Sequence, residues 1–312
     1  MTEPSPSLSV QLGPLRLKNP VMAASGPFGY GDEWAGLAEW GELGALVLKT
    51  ITLQPRAGNP PHHRCVETPA GMLNSIGLEN VGVEAFLAEK LPFARSHNTH
   101  IIASIGGESV EEFSELASRL EGTEGISALE VNISCPNVRA GGMAFGIDSE
   151  TAAEIVKAVK RASSLPVFPK LTPNVTDIAA IAKACEQAGA DAIALINTFS
   201  ALAIDIRSRR PLLGANFGGL SGPAIRPAAL LRVYQAAQAV KVPVIGMGGI
   251  MRAEDALEFI IAGASAVQVG TALFIDPLAA HKVKDGIISF MQEEGISSIS
   301  ELIGSLVLNP IY

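Results

Sequence analysis

The sequence predicts an α/β chain folded as a (β/α)8 barrel, that is, a TIM barrel with long βα-loop insertions at its C-terminal face. Three observations carry this. Eight short β-rich runs recur along the 312 residues. Most of them are separated by stretches with apolar residues at a 3.6-residue period. The runs themselves are nearly continuous apolar segments, as expected of parallel strands buried on both faces.

In chain order the runs are PVMAASG from Pro20, ALVLKT from Ala45, HIIASIGG from His100 and ALEVNISC from Ala128. PVFPKLT from Pro166, AIALINT from Ala192, PVIGMGGI from Pro243 and AVQVGTALF from Ala266 follow. Between them, ETAAEIVKAVKRASS places Ile155, Val156, Val159 and Ala162 on one helical face, and IAAIAKACEQAG and ALLRVYQAAQAV behave likewise. A doubly wound open sheet is the alternative, but it predicts a G-x-G-x-x-G turn after the first strand. The first run ends instead in ASGPFGYGDEW. Two connections, from Thr50 to about Val83 and from Asn197 to about Arg226, are too long for simple crossovers. Long loops in compact domains are usually functional or disordered. Both follow a strand, so both fall on the C-terminal face, where barrel active sites sit. No linker splits the chain, and 1–312 reads as one barrel domain.

Composition narrows the function. The formal net charge is −8 with no basic block, which argues against nucleic acid and acidic membrane surfaces. The N-terminal MTEPSPSLSVQLG lacks the basic start and apolar core of a signal peptide. No apolar run approaches the ~20 residues of a membrane helix. Three dispersed cysteines, Cys65, Cys135 and Cys185, fit a reduced cytoplasm. Nothing in their spacing makes a zinc or iron–sulfur site, and no metal ligand is assigned.

The strand ends carry the chemistry. They present Ser25 and Gly26, Lys49 and Thr50, Ser104, Asn132 with Cys135, Lys170, Asn197 with Thr198, Gly248 with Gly249, and Gly270 with Thr271. Each has a bland reading alone, but an unpaired ammonium is costly to bury, and a purely structural barrel has no use for two lysines at its strand ends. Cys135 stands where a core strand would carry Val or Ile, just before Pro136, which ends the ladder. Its thiol is suited to be a nucleophile, a proton-transfer group, a metal ligand or a small buried hydrophobe. Glycines after strands seven and eight suit a phosphate cradle built from backbone N–H groups. Two lysines beside a flat electron-accepting ring suit a flavin, and a flavin with a phosphate is FMN. Asn74, Asn132, Asn137 and Asn197 offer the alternating donors and acceptors that a pyrimidine dione matches.

The long segments NPVMAASGPFGYG, LKTITLQPRAGNPPHHRCVETPAGMLNSIGLEN, VNISCPN, FPKLTPNV, INTF, GGLSGPAIRP, IGMGGI and VGTALF resemble the class 1 dihydroorotate dehydrogenases. They resemble most closely the NAD-linked 1B catalytic subunits, and the resemblance spans essentially the whole chain. It implies an FMN-binding barrel that oxidises (S)-dihydroorotate to orotate in pyrimidine synthesis. It implies Cys135 as catalytic base, with Lys49, Leu73, Asn74, Ser75, Ile76, Gly77, Asn132, Asn137, Asn197 and Thr198 meeting substrate. It implies that Ser25, Gly26, Lys49, Thr50, Ser104, Asn132, Lys170, Ile196, Gly222, Gly248, Gly249, Gly270 and Thr271 hold the flavin. The family often has Asn near Ser104, and Arg226 stands where Lys is common. The Cys135 thiolate then takes a proton from C5 as hydride leaves C6, with the loop after strand four acting as a lid.

The resemblance further implies a cytoplasmic homodimer core within a heterotetramer. A partner subunit carries FAD and a [2Fe–2S] cluster and passes electrons to NAD. Three rivals stand beside this reading: a fumarate-using class 1A enzyme, a Schiff-base lyase using Lys49 or Lys170, and a barrel that binds flavin without catalysis.

Overall fold

The structure, a computed structural model, describes residues 6–133 and 145–310. Its centre is a closed barrel of eight parallel strands. They are β1 Val21–Ala23, β2 Ala45–Val47, β3 His100–Ile105, β4 Ile126–Asn132, β5 Val167–Leu171, β6 Ile193–Leu195, β7 Val244–Met247 and β8 Ala266–Val269. Each pairs with its neighbour in sequence, and β8 closes on β1 through Val267↔Val21, Gln268↔Met22 and Val269↔Ala23. Every predicted run therefore supplies one barrel strand. Their side chains are almost entirely withdrawn from solvent, which is why they read as unbroken apolar runs rather than as alternation.

The outer helices start where the chain supplies caps. Asp148 accepts from Thr151 N at 2.8 Å to open Ser149–Ala162, and Asp177 accepts from Ala180 N at 3.0 Å to open Ile178–Gln187. In the first of these, Ile155, Val156 and Val159 are buried while Ala162 is only partly so. After β1 there is no full helix. Phe28, Trp34 and Trp40 fill that place, with Phe28 and Trp40 edge-on at 4.9 Å and Trp40 edge-on to His281 at 5.4 Å. Between β2 and β3 the helical segment widens to a π-turn over Phe86–Lys90, just ahead of Pro92, whose missing N–H cannot serve a regular helical bond.

Two features were not visible as elements in the sequence. A short antiparallel hairpin, Val10–Leu12 with Leu15–Leu17, sits at the N-terminal end of the barrel. There Arg16 O meets His100 Nε2 at 3.0 Å, and a Cβ on Gly13 would lie 2.7 Å from Asp191 Cβ. The two long connections are neither loops nor separate. Cys65–Thr68 and Gly71–Asn74 come from the one after β2, and Phe199–Ala201 and Gly218–Ser221 from the one after β6. Together they make one four-stranded antiparallel sheet over the barrel mouth, joined through Asn74↔Gly219, Leu73↔Leu220 and Met72↔Ser221. Among the described residues no helix is long and apolar enough to cross a membrane.

Cys185 is buried inside helix Ile178–Gln187, and burial pushes its thiol up from 9.0 to about 12. The folded chain therefore keeps this proton after the unfolded chain has begun to lose it. That contribution to stability is complete below about pH 9 and is lost as pH rises toward about 12. Tyr30, raised by burial from 10.0 to about 12, adds to the same alkaline loss above pH 10. Cys185→Ala is expected to flatten the fall in urea midpoint between pH 9 and 10. A slope identical to wild type would show that the thiol does not couple to folding.

Candidate active site at the C-terminal ends of the strands

Below the cap sheet lies a cavity of about 400 Å³, walled by strand ends of the barrel and by residues of the sheet. Its barrel side carries Ser25, Gly26, Lys49, Thr50, Asn132, Lys170, Ile196, Asn197, Thr198, Gly248, Gly249, Gly270 and Thr271. Its cap side carries Asn74, Ser75, Ile76, Gly77 and Gly222. Two of the described residues expected at the site do not line it. Leu73 is buried within the cap sheet, opposite Leu220. Ser104 is buried beneath the floor, where its Oγ is 2.8 Å from Thr50 Oγ1. Cys135 and Asn137 lie outside the described residues. Ser221, Gln268 and Phe274 also line the cavity without having been expected there.

The polar wall is tied together from beneath. Asn132 Nδ2 donates to Thr50 Oγ1 at 3.2 Å, and Thr50 in turn meets Ser104. Lys170 is only 7 % exposed, its ammonium 3.2 Å from Glu130 Oε1 and 3.4 Å from Ser25 Oγ. Gln268 Nε2 donates to Glu130 Oε2 at 2.8 Å. Lys49 differs: its ammonium has no carboxylate partner among the described residues, although it lines the cavity. The cap side is fixed by Asn74 Nδ2 donating to Gly219 O at 3.4 Å and by Thr271 Oγ1 donating to Ser221 Oγ at 2.9 Å. Asn174 clamps the far rim, donating to Thr198 O at 3.0 Å and accepting from Ser200 N at 2.9 Å.

Two observations indicate what the cavity is built to receive. Ser75 Oγ and Gln268 Oε1 are buried with no hydrogen-bond partner among the described residues, and both residues line the wall. Buried polar atoms are normally satisfied by a partner or by water, so these two are free to bond a polar ligand or the water it displaces. The glycines also leave bare backbone at one end. Gly249 has φ +83°, and a Cβ there would stand 2.8 Å from Gly222 O; Gly248 has φ +125°, and a Cβ there would strike Ala229. With Gly270 and the short 3₁₀ turn Thr271–Phe274, this is a surface that a phosphate can approach closely. A cavity with cations, amides, two orphaned polar atoms and bare backbone fits FMN.

A closed parallel barrel with such a cavity at the carboxyl ends of its strands defines a β/α-barrel enzyme. A family model for dihydroorotate dehydrogenase matches residues 7–291. The chain is 56% identical to the dihydroorotate dehydrogenase B (NAD(+)) catalytic subunit of Trichlorobacter lovleyi, covering 96% of this chain and 99% of that one. It is 53% identical to the subunit of the same name from Geotalea uraniireducens, covering 97% and 99%. With that of Desulforamulus reducens the identity is 54%, over 96% and 98%. The chain belongs to the dihydroorotate dehydrogenase family.

Proposed function

We infer that this chain is the catalytic subunit of an NAD-linked dihydroorotate dehydrogenase, oxidising dihydroorotate to orotate in pyrimidine synthesis. The single observation that carries the reading is the cavity. It joins Lys49, a cation with no carboxylate partner among the described residues, with the amides of Asn74, Asn132 and Asn197 and with a glycine-lined end. The substrate's ring alternates N–H and C=O groups and carries a carboxylate, so amides and an ammonium match it group for group.

The roles divide by position. Lys49 and the asparagines hold and orient the substrate. Lys170, Thr50, Ser25 and Asn132 would hold the flavin ring, and Gly248, Gly249, Gly270 and Thr271 would hold its phosphate. Bound FMN supplies the acceptor for the hydride that leaves C6. Cys135, three residues beyond β4 in the sequence, takes the proton from C5 as its thiolate, and the cap sheet screens the reacting atoms from water. The partner subunit implied by the relatives' name carries FAD and a [2Fe–2S] cluster, and the assembly is a cytoplasmic heterotetramer around a homodimer of this chain. The whole chain acts as one domain.

Two measurements test this. Anaerobic dihydroorotate should bleach the yellow purified protein; a colourless protein would favour the Schiff-base reading, and a yellow one that does not bleach would favour a binding role only. In steady state, the chain alone should turn over with artificial dyes but not with NAD. Efficient NAD reduction by the isolated chain would sink the partner hypothesis, and strong turnover with fumarate would move it to the class 1A reading.

A further inference from the structure

Glu130 sits within β4, between the buried Leu129 and Val131, and is 1 % exposed. It does not line the cavity. Its two carboxylate oxygens are both engaged: Oε1 is 3.2 Å from Lys170 Nζ, and Oε2 accepts from Gln268 Nε2 at 2.8 Å. β4 and β8 stand opposite one another in the closed ring of eight strands, so the bond to Gln268 crosses the barrel. So does the contact from Lys170 on β5 to Ser25 at the end of β1. Glu130 is thus the hub of a cross-brace whose other three members, Lys170, Ser25 and Gln268, all face the cavity.

A buried ion pair stabilises a fold little more than apolar side chains of the same volume would. Stability therefore does not account for a carboxylate here. Its charge acts on the cavity. An isolated Lys170 would present a full positive charge to whatever lies against it, and would strongly favour added negative charge there. Glu130 offsets part of that field while fixing where the ammonium stands. Gln268 holds the carboxylate in place, and its own unpartnered Oε1 is left to accept from the ligand.

We propose that Glu130 is a positioning residue that sets Lys170 at the cavity wall and lowers the midpoint potential of the bound flavin, so that its electrons pass on to an acceptor outside the chain. This rests on the flavin reading given above. The charge sits one residue removed from the flavin, acting through the lysine it anchors, and the brace carries the effect without contact.

The test is the midpoint potential of the holoenzyme. Glu130→Gln keeps the size and hydrogen-bonding capacity and removes the charge. The ratio of reduced to oxidised FMN affinity should rise at least tenfold, which for a two-electron couple is about 30 mV upward. Glu130→Asp keeps the charge and should stay within threefold of wild type. An unmoved potential in flavin-loaded E130Q overturns the proposal, and so does a shift in E130D as large as that in E130Q. If E130Q does not fold, Glu130→Met takes its place with the same expected rise. Failure of both uncharged variants to fold would mark Glu130 as a structural strut and overturn the positioning role. A colourless wild type overturns the flavin reading and this proposal with it, whereas a yellow wild type with an unmoved E130Q potential overturns this proposal alone.

Discussion

Cys135→Ala is expected to retain FMN and lose most of its reduction by dihydroorotate. General-base catalysis typically contributes ~10²–10⁴-fold, and the rate of anaerobic bleaching in stopped flow should fall by that order. Cys135 is not among the residues assigned to the flavin, so the spectrum of the oxidised variant should match wild type. Only the thiolate accepts a proton, and an unperturbed thiol has a pKa of about 8.5, so wild-type bleaching should quicken as pH rises through the thiol's ionisation. Cys135→Ser should be intermediate at high pH. Bleaching of the alanine variant at the wild-type rate would remove Cys135 from the mechanism.

Lys170→Ala is expected to act on two measurements at once. It leaves Glu130 buried and, among the described residues, held by Gln268 alone, and stripping one partner from a buried pair commonly costs about 3–5 kcal/mol. The urea midpoint of the apoprotein should fall accordingly. With flavin bound, the variant has lost the cation that favours added negative charge, so its midpoint potential should fall as well. A stability loss with an unchanged potential would reduce Lys170 to a structural strand end. A changed potential with unchanged stability would show that the ion pair contributes nothing to folding and acts on the flavin alone.

The barrel was legible because parallel strands buried on both faces write themselves as apolar runs, and polar residues at their carboxyl ends have nowhere to face but the mouth. Lys49, Asn132 and Lys170 could be read in this way. Glu130 and Gln268 are harder to read, although the sequence carries a signal: one carboxylate in ALEVN and one amide in AVQVG, each in a strand with no room for an unsatisfied polar group. What hid them was distance, since Glu130 meets Lys170 across 40 residues and Gln268 across 138. The cap strands were hidden for a different reason. They are three or four residues long and rich in Gly, Ser and Thr, too short for an apolar alternation to be read from the sequence. Only the unusual length of the two connections pointed to them.

The cap sheet also sets an order of events during synthesis. Asn74 and Gly219, which zip its two halves together, are 145 residues apart. Closing so long a stretch of chain has an entropic cost, which is offset only once pairing of the barrel strands holds the two connections near each other. A nascent chain halted before Ser221 still lacks β7 and β8, and with them Gly248, Gly249, Gly270 and Thr271 of the cavity wall, so floor and roof are completed together, late in synthesis. Cofactor capture becomes a late checkpoint, passed only by chains that have already closed.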